Sequence, residues 1–194
     1  MRLGEWINRK RHNRGFGIQS PSAFFFVTEV LREQLPYYAY KKLDSTVEKY
    51  GGMSKKHARE LFRITNYIQP DNCISIASPA AAEAMKAARP TATHYILEGR
   101  KIEEYNECMK ECRSIGMLYL SDCPCKEEII STAISHTNNK SIIIVAGIHK
   151  DKATALWWQR LVDNPTTIVT YDMYSYGLLF FDKEKKKQHY KLKR

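Results

Sequence analysis

Residues 71–99 run DNCISIASPAAAEAMKAARPTATHYILEG, and no other stretch restricts the fold as much. They read as a short apolar strand, a turn, a helix of small residues and a second strand closing on Glu98. That is the opening βαβ unit of a nucleotide-binding sheet. In such a unit the first turn ordinarily carries glycines, because a backbone without Cβ can lie against a bound cofactor and leave its amides free to cradle it. Here residues 77–81 contain no glycine. The frame is present without its best-known chemical feature.

The segments that follow repeat the strand–helix alternation. Strand one is expected over 73–77, a helix over 79–88, strand two over 94–97 and a helix over 101–115 stopped by Gly116. A short strand is expected over 117–120, a helix over 126–136 and a strand over 141–145, whose IIIV run is that of a strand buried on both faces. A helix over 152–162 and two strands, 166–172 and 177–182, complete the pattern. The last two, joined by MYSY, are close enough in sequence to pair as an antiparallel hairpin. The predicted fold class is therefore α/β: a Rossmann-like, doubly wound, mostly parallel sheet of about six strands with a C-terminal antiparallel hairpin.

Two helices are expected ahead of the sheet. Ser20 and Pro21 give an N-cap and a first-turn proline, and the helix runs to Pro36. Ser54 caps a second helix, 54–68, with Ala58, Leu61, Phe62, Thr65 and Ile68 on one face. Residues 1–70 are read as an N-terminal arm and helical cap, set over one sheet edge or over the cofactor crevice. Residues 71–182 are read as the core and 183–194 as a basic tail, all within one domain of 194 residues. Between the two helices, PYYAYKKL could line a pocket mouth or simply pack Tyr37, Tyr38 and Tyr40 against the domain.

The net charge of +10 sits at the two ends. Residues 1–14 carry a surplus of four cations and residues 183–194 a surplus of six, so the intervening chain is balanced. Two basic arms suit an anionic partner, nucleic acid included, or are solvated tails. The opening residues lack the apolar core of a signal peptide, and no apolar run is long enough to cross a bilayer. A cytoplasmic location without membrane contact is expected. Five cysteines, an odd count, suggest reduced thiols. The spacings Cys108-x-x-x-Cys112 and Cys123-Pro-Cys125 do not match a zinc knuckle, so no metal site is expected.

Taken in order, RNRGFGIQSPSAFFFV, PYYAY, LFRITNYIQP, ILEG, IIIVAGIH and TIVTYDMYSYGLLFFDKE give the chain a resemblance to the class I S-adenosylmethionine-dependent methyltransferases. The nearest likeness is to a bacterial O-methyltransferase-like group with an N-terminal helical cap. The resemblance implies S-adenosylmethionine as cofactor and a small-molecule or anionic methyl acceptor. It places Ser75, Ala77, Ser78, Ala81, Glu98 and Gly99 against the cofactor. In that family strand one ends in acidic-x-Gly-x-x-x-Gly, and here the pattern becomes Ser75-x-Ala77-x-x-x-Ala81. Each added methyl stands where cofactor or a positive-φ backbone is expected, and the ammonium loses its charged partner. Glu98 is placed to accept the ribose hydroxyls, or is a solvated carboxylate ahead of a helix.

Two further departures concern catalysis. Ala146 and Gly147 stand where the resembling proteins tend to carry acids, and the short span 121–140 suggests that one strand–helix unit is missing there. The loop bearing a catalytic Asp would be lost with it. His149 remains as a general base, or as a structural histidine for want of an acidic partner. Two functions follow as expectations. One is a methyltransferase-like protein with a degenerate cofactor loop and weak or no methyl transfer; the other is a binding module that uses its basic arms.

Overall fold

The computed structural model describes residues 15 and 17–192, so the basic arm read over 1–14 lies outside the described residues. Seven strands form one sheet: β1 (Asn72–Ile76), β2 (Thr93–Leu97), β3 (Met117–Leu120), β4 (Ile142–Ala146), β5 (Val169–Asp172), β6 (Tyr176–Phe180) and β7 (Gln188–Lys191). Their order is β2-β1-β3-β4-β6-β5-β7. β6 alone runs antiparallel to its neighbours. The expected hairpin is β5–β6. The seventh strand comes from the segment read as a basic tail: β7 pairs in parallel with β5, and Tyr190 and Leu192 are buried. The lysines of 183–194 hide this strand, because their charge dominates the composition while QHYKL still alternates around Tyr190 and Leu192.

The alternation of side chains divides the core into two layers. Cys73, Met117, Tyr119, Ile142 and Ile144 face one side, with helices α1 (Pro21–Phe25), α2 (Tyr40–Tyr50), α3 (Lys55–Ile68) and α4 (Pro79–Ala88). Ile74, Ile76, Leu118, Leu120, Ile143 and Val145 face the other, with α5 (Ile102–Glu111), α6 (Lys126–Ser135) and α7 (Lys152–Asp163). Both faces are covered, which is why the central strands read as unbroken apolar runs. The N-terminal helices cover one face of the sheet.

α1 is capped as expected: the Ser20 hydroxyl accepts from the Ala23 amide, and Pro21 opens the first turn. It continues as π-helical turns over Phe26–Leu31. α2 was not expected, because only Leu43 and Val47 of its eleven residues are buried and the rest read as a solvated stretch. Tyr37 and Tyr40 pack edge-on to Phe62, at 5.3 and 6.0 Å between ring centroids. Arg63 holds this region together from within the core. Its guanidinium donates to the carbonyls of Val30 and Leu31 and to the Tyr40 hydroxyl.

The order of strands corrects one expectation. In the doubly wound arrangement 3-2-1-4-5, the third strand extends the sheet beyond the second, and the fourth crosses to the far side of the first. Here the third strand in sequence already lies on the far side of β1. The missing unit therefore belongs after β2, between Leu97 and Met117, and not within 121–140. The loop after β3 carries Asp122.

Candidate functional site

Ligands of doubly wound sheets bind outside the carboxyl ends of the strands, where successive connections leave in opposite directions. That point lies here between β1 and β3. The loop leaving β1 keeps the backbone conformation of a glycine turn although its residue is alanine: Ala77 has φ +55°. Its amide donates to the Leu97 carbonyl at 2.9 Å, which ties the loop to β2. Ser75, where the resembling family has an acid, is 1% exposed, and its hydroxyl donates to the Ser78 carbonyl at 2.7 Å. The Ser78 hydroxyl in turn accepts from the Ala81 amide and caps α4. Ala81 is fully buried. The two serine hydroxyls of this turn are thus paired within it.

The loop leaving β2 crosses the end of β1. A Cβ placed on Gly99 would stand 2.7 Å from Cγ2 of Ile76 and 3.1 Å from Sγ of Cys123, so its backbone is in close contact with the end of β1 and with the loop after β3. The Cys125 thiol donates to the Arg100 carbonyl at 3.2 Å, a second link to the β3–α6 loop. Glu98 turns to solvent, with a side chain 71% exposed and paired to Arg100 at 2.9 Å. The amides of Glu98 and Gly99 are held by the carboxylate of Glu104, in the first turn of α5.

Between β3 and β4, Asp122 pairs with Lys126 and with Lys150, which joins the loops that leave the two strands. Those two ammonium groups hold its carboxyl below the usual carboxylate range. Beyond β4, Nε2 of His149 lies 2.8 Å from Oδ2 of Asp172. Asp172 is buried at the end of β5, and its other oxygen accepts from the Tyr174 amide. The rings of His149 and Tyr174 stack at 5.2 Å. A carboxylate only accepts, so the Nε2–H of His149 is the donor in this contact.

Ser75, Ala77, Ser78, Ala81, Glu98 and Gly99 therefore lie around the ends of two adjacent strands. His149 stands apart, with β3 between β1 and the strand it follows. Ala146 ends β4 and Gly147 begins its loop. The acidic partner absent from the reading of His149 is Asp172, 23 residues further on. Only the antiparallel placement of β6 between β4 and β5 brings the two together; the one trace in the sequence is an acid closing a strand. Cys123 and Cys125, for which no metal role is expected from their spacing, are the thiols that meet the β2–α5 loop. Among the described residues no group of three or more His, Cys, Asp or Glu side chains could hold a metal ion.

No family model and no curated protein matches the chain. Among solved structures it is similar to a proposed O-methyltransferase from Klebsiella pneumoniae, with TM-score 0.56 and 9% identity over 80% of this chain and 94% of that one. The SAH-bound methyltransferase PaMTH1 of Podospora anserina gives TM-score 0.52 and 10% identity, over 84% and 96% of the two chains. The fold is methyltransferase-like. A third likeness is to the MycE methyltransferase of mycinamycin biosynthesis, solved with Mg and SAH, at TM-score 0.55 and 11% identity; it covers 82% of this chain and 51% of that one. A methyltransferase-like fold at such identities fixes the scaffold, and function has to be argued from the site.

Proposed function

We propose that this chain is a methyltransferase-fold protein whose cofactor crevice has closed, so that it holds S-adenosylmethionine weakly and transfers methyl groups slowly or not at all. The carrying observation is the β2–α5 loop lying across the end of β1, with Gly99 in contact with Ile76 and Cys123. The residues present do not fit the cofactor. The turn that would face its methionine end carries the methyls of Ala77 and Ala81, and the Ser75 hydroxyl is bonded to Ser78. Glu98 is paired to Arg100. Each methyl clash costs about 1 kcal/mol, and a missing charged partner for an ammonium about 1.5–3 kcal/mol. Together they weaken binding by roughly two orders of magnitude or more.

Calorimetric titration of the full chain with S-adenosylmethionine and with its demethylated product tests this. Dissociation constants of about 1 mM or weaker are expected, which corresponds to roughly 4 kcal/mol of binding. Low-micromolar binding of either would overturn the reading.

A second reading is favoured by His149 and Asp172. An imidazole oriented by a buried carboxylate is suited to take a proton from a hydroxyl on a small acceptor. The side chain is 24% exposed, open enough for such contact.

A further inference from the structure

A cleft of about 320 Å³ opens beside α1, at the end of the sheet opposite the candidate crevice. There Phe180, the last residue of β6, pairs with Val169 and with Ile142, the first residues of β5 and β4. Its lining is largely aromatic. The Phe26 ring lies 5.0 Å from Tyr171 and 5.4 Å from Phe180, and Tyr67 stands 5.7 Å from Phe26. Phe26 also opens the π-helical turns that follow α1, a geometry frequent at functional sites. Lys185, Lys186 and Gln188 supply polar groups to the same cleft.

Two of the cleft's polar groups are unused by the fold. Tyr171 is 3% exposed, yet its hydroxyl makes no hydrogen bond among the described residues. The neighbouring Tyr190 differs, since its hydroxyl donates to Gln188. A buried hydroxyl left unpaired is a cost to the fold, and one that lines a cleft recovers it by donating to a ligand. Burial holds the Tyr171 phenol above the ordinary range, so it keeps its proton for that purpose. Lys186 is the second group. Lys185 is shared with Asp182 at 3.5 Å and Lys187 donates to the Asn164 carbonyl at 2.6 Å, whereas Lys186 has neither hydrogen bond nor ion pair among the described residues.

We propose that this cleft binds a small aromatic carboxylate, its ring against Tyr67 and Phe180, its charge met by Lys186, and one of its oxygens accepting from the Tyr171 hydroxyl. Aromatic walls favour an aromatic guest, because ring edges and faces attract one another beyond their buried area. The volume lies at the lower end of the range of ligand clefts, which suits a molecule of one ring. The charge selects a monoanion. Only Lys186 of the two lining lysines is uncommitted among the described residues, and Asp182 and Glu184 in the same loop would repel a phosphate dianion more strongly than a carboxylate. The proposal is independent of whether the crevice at the other end of the sheet takes a cofactor.

The test is calorimetric titration of the full chain with 4-hydroxybenzoate, for which one site with a dissociation constant of about 0.1–1 mM is expected. Tyr171→Phe, which keeps the ring in the core and removes only the hydroxyl, should weaken binding about tenfold. Lys186→Met should weaken it about fivefold and abolish the loss of affinity that added salt causes in the parent chain. Cyclohexanecarboxylate, with the charge but no aromatic ring, and phenyl phosphate, a dianion, should each bind about fivefold more weakly than 4-hydroxybenzoate. The absence of binding by 4-hydroxybenzoate would overturn the proposal. So would either comparison ligand binding as tightly as 4-hydroxybenzoate, or either variant binding like the parent chain.

Discussion

Ala77 carries a left-handed backbone, φ +55°, that an L side chain occupies at a penalty. The turn keeps the path of a glycine loop because both of its neighbours are fixed: Ser75 is bonded to Ser78, and the Ala77 amide to Leu97. Ala77→Gly is therefore expected to raise stability by about 1 kcal/mol, since relief of the positive φ outweighs the added freedom of the unfolded chain. Urea denaturation of the two proteins measures it. A turn without glycine, with Ser75 two residues ahead of Ala77, is legible in the sequence. That Ser75 and Ser78 satisfy one another, and that Glu98 turns to Arg100, are not, since each depends on which neighbour lies within hydrogen-bond reach.

At the scale of elements, two contacts hold the C-terminal half of the sheet. The backbone of Gly177 on β6 lies against the Trp158 ring of α7, and a Cβ there would fall inside the van der Waals radius of the ring. Trp158 is 2% exposed and has no room to withdraw. Gly177→Ala should lower stability by about 3 kcal/mol through overpacking, seen as a fall in the thermal midpoint. β7 is the second contact. Leu192, 1% exposed, donates its amide to the Asp172 carbonyl at 2.8 Å and so supports the strand end that carries the partner of His149. Leu192→Ala is expected to cost about 3 kcal/mol in the same measurement. A tail that composition marks as solvated thus belongs to the core. The sequence pattern could show this only through the alternation of two buried residues, too short a signal to outweigh the seven cations of residues 183–194.

Across the whole molecule, burial sets how stability responds to alkali. Burial pushes the thiols of Cys73 and Cys108 from an ordinary 9.0 to about 12, and it raises the phenols of Tyr105 and Tyr171 as well. In the unfolded chain these thiols lose their protons near pH 9, while the folded chain keeps them, so the unfolded state binds fewer protons above that pH. Stability is then complete below pH 9 and falls as pH rises toward about 12. Thermal midpoints across this interval should decline, and Cys73→Ala with Cys108→Ala should make the decline shallower. The sequence by itself determined the alternation of strands and helices, the caps at Ser20 and Ser54, the two-faced burial of the central strands and the absence of glycine from residues 77–81. All of these are properties of neighbours along the chain or of a period within one element. Only the tertiary structure decided that β3 lies beside β1, that Asp172 meets His149, that the β2–α5 loop crosses the end of β1 and that β7 joins the sheet. Each of those is a contact between segments far apart in sequence, and strand order, which no local pattern encodes, is what brings them together.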